Sequence, residues 1–172
     1  MSSRADISTL NCSLARALAA VGDAWSLLIL RDAMMGATRF GQFQASLGAA
    51  RNILSARLAS LVESGVLHRD ASGGHPRYTL TEKGRDLTPA LVALLQWGDV
   101  WESQGMRPVT VCDPQQRAVA PVAVQDRDGA ALDPRKLVFK PGPGANPATI
   151  SYLQSLAASA TDVQAGHQGL AL

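Results

Sequence analysis

The sequence predicts an α+β chain that is mainly helical, and three observations predict it. Leu and Ala recur at three- and four-residue spacing through most of the first hundred residues, the signature of helices with one apolar face. A Gly73–Gly74 turn sits between two short runs of strand character inside that stretch. Beyond about Gly105, Pro, Val and Asp replace Leu and Ala, in short runs broken by turn signals.

The elements follow in order. Leu14, Ala17, Leu18 and Val21 share one face of a first helix that Gly22 ends. Asp23 suits the N-cap of a second helix, Ala24 to Met34, which is apolar on nearly all sides and therefore buried. Thr38 to Gly41 open a third, short helix, with Phe40, Phe43 and Leu47 on its apolar side. A small-residue turn, Gly48–Ala49–Ala50, leads into a fourth helix from about Arg51 to Ser64, and Gly65 stops it. Val66–His68 and Arg77–Leu80 form a hairpin around the double glycine. Thr81 caps the next turn of helix. Thr88–Pro89 opens a long amphipathic helix to about Ser103, with Leu91, Leu94, Leu95, Gly98 and Trp101 as its stripe.

A short helix joined by a tight turn to the next, followed at once by a hairpin, is the layout of a winged helix-turn-helix. Residues 1–105 are expected to form that domain. Residues 106–165 are expected to form a small β-rich extension with a terminal helix, in which Ile150, Leu153, Leu156 and Ala157 share a face. A structureless tail is expected over 166–172.

Bulk composition narrows the partners. The chain has 172 residues, 47% hydrophobic, enough for one core and a small appendage. Charged residues make up 17%, against about 25% in ordinary soluble domains. A chain so short of charge is expected to hide apolar surface in an oligomer. The net charge is +2, but from Arg31 to Arg85 eight bases stand against four acids, a local excess of the kind a phosphate-binding face needs. No apolar run reaches the roughly 18 residues of a membrane span, and the first ten residues lack a leader pattern. The expected setting is the cytoplasm, without membrane contact. Cys12 and Cys112 lie too far apart for a disulfide framework or a zinc knuckle, so no metal or other cofactor is expected.

The fourth helix has the character of a reader. With Leu54 taken as the core direction, Leu58, Leu61 and Val62 fall on the same side at about 100° per residue. Asn52, Ala56, Ala59, Ser60 and Glu63 fall opposite, Ser55 lies at the edge, and Arg51 and Arg57 flank. Small outward residues let a helix press into a major groove about 12 Å wide. Asn52 suits an adenine edge, and Arg51 a guanine edge or a phosphate. His75 and Arg77 near the hairpin tip, and Arg39 at the start of the short helix, are candidate phosphate contacts.

Five motifs, in this order and spacing, resemble the HxlR-type family of bacterial transcription regulators: Cys12–Leu18, Val21–Arg31, Gly36–Phe40, Arg51–Leu58 and Tyr78–Gly84. The resemblance covers roughly Cys12 to Trp101. It implies a homodimer on a palindromic DNA operator, acting as a repressor. It further implies a dimer interface from the first helix and the long helix after the wing: Leu14, Leu18, Leu91, Leu95, Trp97 and Trp101. Some members use a cysteine at the position of Cys12 to sense oxidants or electrophiles, and Arg16 one turn away would favour its thiolate. An apolar small-molecule effector is expected between the extension and the dimer helices, with Trp97 and Trp101 as possible walls.

Two other functional classes stand beside this one. No nucleophile–base set, phosphate loop or paired carboxylates stand in a catalytic context, so an enzyme is not expected. An interaction module that keeps the fold without binding DNA remains an alternative, as does a thiol sensor built on the same scaffold.

Overall fold

The computed structural model describes residues 6–168. They divide into two compact units: Ala17–Ala123, and a second that joins the residues up to Arg16 with those from Val124 onward. The boundary expected near Gly105 therefore falls inside the first unit.

The helical unit is built as its apolar periodicity requires. After α1 (Ser13–Val21), α2 (Ala24–Met34) starts at Asp23, whose Oδ1 accepts from the amides of Trp25 and Ser26 at 3.1 and 3.2 Å. This N-cap satisfies two of the donors that every helix start leaves orphaned. Ile29 and Leu30 are fully buried on α2, and Asp32 is buried beside them, its Oδ1 held by the Arg31 guanidinium. Asp32 Oδ2 has no hydrogen-bond partner among the described residues. α3 (Phe40–Leu47) contributes Phe43, and α4 (Arg51–Glu63) contributes Leu54, Leu58 and Leu61, all with at most 1% exposure. Burying one such leucine is worth about 1.5–3 kcal/mol, so three on one face seat α4 firmly while its other face stays open.

The hairpin consists of β1 (Leu67–Asp70) and β2 (Arg77–Leu80), antiparallel, with Arg69 opposite Tyr78 and Asp70 opposite Arg77. It is pinned to α3 and the turn before it through β2. Tyr78 donates its amide to the Thr38 carbonyl at 2.7 Å, Arg39 and Arg77 form an isolated bridge, and the Tyr78 ring meets Phe43 edge-on at 6.4 Å.

One joint couples α4 to this hairpin. α4 ends in a Schellman arrangement in which Gly65, at φ 70°, donates to Val62 O and Val66 donates to Leu61 O, each at 3.0 Å. The Val66 carbonyl then accepts from the Thr81 amide at 3.1 Å, while the Thr81 hydroxyl donates to the neighbouring Gly65 carbonyl at 2.7 Å. Thr81 also caps α5 (Glu82–Arg85) by accepting from the Gly84 amide, and Lys83 Nζ donates to the Ser64 carbonyl at 2.7 Å. Gly84 is buried against Val66 O so closely that an added Cβ would overlap that oxygen.

α6 (Thr88–Trp101) follows, with Pro89 in its first turn and Val92 and Asp99 buried. Gln96 reaches from α6 to the following segment: its amide nitrogen donates to Ala120 O at 3.1 Å and its oxygen accepts from Val122 N at 2.8 Å. The expected β-rich extension is not a sheet. It holds two isolated bridges, Cys112 with Ala118 and Gln125 with Ala131, each closing a loop on an aspartate side chain. Asp113 Oδ1 accepts from the amides of Gln115 and Arg117, and Asp126 Oδ1 from those of Asp128 and Ala130. These carboxylates satisfy the backbone locally, so the Val-rich runs between them do not need a ladder.

In the second unit Asn11 acts as a clasp. Its Nδ2 donates to Gly144 O, and its Oδ1 accepts from Asn146 N and Thr149 Oγ1, all within 3.0 Å. Asn146 in turn caps α7 (Pro147–Gln168) by accepting from the Thr149 amide. The structureless tail expected from 166 lies, from 169 on, outside the described residues.

Gly84→Ala is expected to destabilise the protein by about 1–3 kcal/mol, the usual cost of forcing a methyl into a packed site. Gly73→Ala, where an added Cβ meets nothing within 4 Å, serves as control and should shift the urea midpoint little.

Candidate nucleic-acid interface

The exposed face of α4 carries Arg51, Asn52, Ser55, Ala56, Ala59 and Ser60, as the periodicity predicts. Leu54, Leu58 and Leu61 take the buried side. The outward side chains are short except at the first turn, which leaves the helix backbone free to approach a groove floor. Asn52 stands open at that first turn, where readers of this kind contact base edges. Arg51 is held in place: its guanidinium lies 5.6 Å from the centroid of Phe40 on α3. A cation over a ring is stabilised there and arrives with part of its freedom already removed.

The two flanking arginines therefore differ. Arg57 is drawn back toward the scaffold, with Nε 3.1 Å from Asp23 Oδ1, too far off line for a hydrogen bond. The same carboxylate oxygen caps α2. Arg57 thus ties α4 to the start of α2, and its half-exposed side chain is less free for DNA than expected.

Arg39 and Arg77 come from separate elements and are brought together. The backbone bridge between them places them directly across from each other, where side chains stand about 4.5–5.5 Å apart at Cβ. Two like charges in that position repel, and neither makes an ion pair within 4 Å among the described residues. Such a pair is best satisfied by an external anion. Both are exposed, as is His75 beyond them in the turn. Asp70, opposite Arg77, offsets part of the charge. Its carboxyl is held below the usual 3.8, first by hydrogen bonds from the Ser72 hydroxyl and amide and then by the nearby charges of His68 and Arg77.

Sequence reasoning missed Arg69. It lines a cavity of about 420 Å³ between α4 and the hairpin, together with Ser55, Ala59, Glu63 and Tyr78. Strand alternation was the available signal, since Arg69 shares the Tyr78 face while His68 and Asp70 share that of Arg77.

The expected interface residues also separate. On α1, Leu14 and Leu18 are exposed. On α6, Trp97 and Trp101 are exposed at 53% and 70%, and Leu94 joins them on the same stripe. Leu91 and Leu95 turn inward instead. Leu91 packs on the core and Leu95 lines two cavities, because about 100° per residue carries them off the line of 94, 97 and 101. Of the expected effector walls, Trp97 lines a cavity of about 480 Å³, whereas Trp101 lines none of those described. Cys12 is exposed, but the Arg16 guanidinium is directed to Leu10 O and Ser13 Oγ.

Comparison with known proteins agrees with this geometry. The family described as HxlR-like helix-turn-helix matches residues 20–106. An HTH-type transcriptional regulator of Mycobacterium tuberculosis, itself uncharacterised, is 51% identical over 90 residues, which are 51% of this chain and 57% of that protein. The chain thus spans little more than half the length of that relative. A second, from Synechocystis, is 32% identical over 97 residues, covering 54% of this chain and 72% of its own. Among solved structures, PA1607, described as a transcription factor, superposes with a TM-score of 0.70 at 42% identity, over 78% of this chain and 98% of its own. PA1374 of Pseudomonas aeruginosa, described likewise, gives 0.59 at 34% identity, over 82% and 99%.

The lowered Asp70 value sets a pH window for the hairpin turn. A carboxylate whose folded value is depressed contributes fully above its unfolded value and loses that contribution as pH falls through the folded one. The Ser72 amide resonance should therefore hold its position from about pH 8 to pH 5 and move only below about pH 4. Movement near neutral pH would contradict the Asp70–Ser72 assignment.

Proposed function

Because the chain belongs to the HxlR-like helix-turn-helix family, we propose that it is a sequence-specific DNA-binding transcriptional repressor of the cytoplasm. In this reading it binds a palindromic operator as a homodimer and is released by an apolar small molecule. The observation that carries the proposal is the pairing of an open α4 face with a basic wing: Arg51 and Asn52 at the reader's first turn, and Arg39 and Arg77 opposed beside it.

The roles divide by chemistry. α4 enters the major groove, where Asn52 suits the donor–acceptor pair of adenine and Arg51 the two acceptors of guanine. Ser55 lies one turn on and reaches the same floor. Arg39, Arg77 and His75 hold phosphates and set the register without reading sequence. Arg57 acts through α4, by fixing its angle to α2. Leu18, Leu94, Trp97 and Trp101 form the apolar surface that a second copy covers. Exposed tryptophans on a helix with a single charged side chain suit the dry centre of an obligate interface.

Replacing Arg51 and Asn52 together with Ala should lower operator affinity by roughly 30-fold or more, since each bidentate base contact is worth about 1–3 kcal/mol of discrimination. Fluorescence anisotropy with DNA from upstream of the protein's own gene measures this, and sedimentation should show the assembly intact. Unchanged binding would remove both residues from the reader.

Trp101→Glu should halve the sedimenting mass while leaving the far-ultraviolet circular dichroism as it was, because Trp101 is exposed and supports no core. An unaltered mass would place the interface elsewhere.

A further inference from the structure

Asp99 has no part in DNA binding, yet it is the one charged residue of α6 and is buried, with 8% exposure. Among the described residues no hydrogen bond reaches its carboxylate. Its one ion-pair partner is Arg107, whose Nε stands 4.0 Å from Oδ2 and whose side chain is 60% exposed. Removing a carboxylate from water is costly, and a distant, solvent-screened guanidinium returns little of that cost. With 10% of its side chain exposed and neither oxygen sealed from solvent, the carboxylate is held by one long contact and stays open to a closer partner.

The same residue lines a cavity of about 410 Å³ between α2, α6 and the segment Pro108–Val111. That volume lies within the range of small-molecule sites. The walls are chiefly apolar, with Leu28, Met34, Met35 and Leu95 among them. Methionines at a binding wall adapt to varied apolar shapes. The other charged residue lining the cavity is Arg31, and it is already satisfied: Nε and one terminal nitrogen donate to Asp32 Oδ1 at 3.0 and 2.7 Å. An entering molecule therefore meets apolar surface, one neutralised cation and one poorly paired anion.

We propose that this cavity binds an apolar organic cation, a hydrophobic amine whose ammonium pairs with Asp99 in place of Arg107. The proposal deepens the effector-released repressor reading and rests on it for its biological consequence. A neutral molecule of the same shape gains the apolar contact without the ion pair. An anion of that shape meets the Asp99 carboxylate and loses. Arg107 opens the segment that walls the cavity, so a ligand that displaces it also frees one end of that wall.

The test is calorimetric titration of the full chain, free of DNA, with three molecules sharing one apolar body: 3,3-diphenylpropylamine, 3,3-diphenylpropanol and 3,3-diphenylpropionate. The amine should bind about tenfold tighter than the alcohol, as a charge-assisted contact exceeds a neutral one. The propionate should bind more weakly than either. Asp99→Asn should bring the amine down to the level of the alcohol and leave the alcohol unchanged. Arg107→Ala changes only an exposed side chain and should tighten the amine by removing its competitor. Equal binding of amine and alcohol would overturn the proposal. So would preference for the propionate, no binding of any of the three at millimolar concentration, or weaker amine binding by Arg107→Ala. Anisotropy with DNA from upstream of the protein's own gene separates the two readings. If the amine binds but leaves DNA affinity unchanged, the site stands and its effector role falls. If the chain has no salt-dependent affinity for that DNA, the repressor reading fails and the calorimetric result still decides the site.

Discussion

The presentation of the proposed DNA-reading surface depends on one carbonyl. Val66 O accepts a hydrogen bond from the Thr81 amide, beside the Gly65 carbonyl that takes the Thr81 hydroxyl, and lies against the α-carbon of Gly84. Through it the end of α4, the start of the hairpin and the first turn of α5 share a single point. The short segment Thr81–Gly84 carries three separate tasks there. Thr81 caps one helix while bonding to the end of another, Lys83 places its charge at the negative end of α4, and Gly84 keeps the space clear. Moving any one of them changes the angle between reader and wing, and that angle decides whether both meet one duplex.

Around this joint the charges fall into two groups by what they already touch. Arg31 and Arg57 are engaged by Asp32 and Asp23 and serve the scaffold. Arg39, Arg51 and Arg77 have no carboxylate within ion-pair distance among the described residues, and one of them rests on an aromatic ring. Counting bases along the sequence does not separate these groups. The separation requires knowing that Asp23, the N-cap of α2 and far from α4 in sequence, also meets Arg57 in the fold.

Much of the helical unit was legible in the sequence because its signals are local. The limits of α1 to α4 follow from caps, glycines and apolar spacing. The opposed faces of α4 follow from about 100° per residue. What was not legible depends on contacts between distant segments. Leu91 and Leu95 read as part of an outward stripe, but which side of an apolar helix faces the core is set by α2 and by the chain beyond 107. The extension read as β-structure because Val alternates with turn residues. Asp113 and Asp126 instead satisfy the backbone within five residues, and a ladder never forms. Arg69 was passed over because the hairpin was read by its tip rather than by its two faces.

α6 joins the proposed functions physically. Over fourteen residues it presents Trp97 and Trp101 on one side and Val92, Leu95 and Asp99 on the other, with Leu94 exposed at the rim of the cavity that the latter three line. A helix of that length is stiff on the scale of a side chain, so pressure on the inner face cannot be absorbed without moving the outer one. Asp99 lies only two residues from Trp97 and from Trp101, close to half a turn around the axis from each. A group that changes how Asp99 is paired therefore acts within one helical turn of the surface proposed for a second copy. In the proposed dimer on a palindrome, a rotation at that surface changes the separation of the two α4 helices. This requires no long pathway through the protein, only a cavity wall and the proposed subunit interface carried by the same helix.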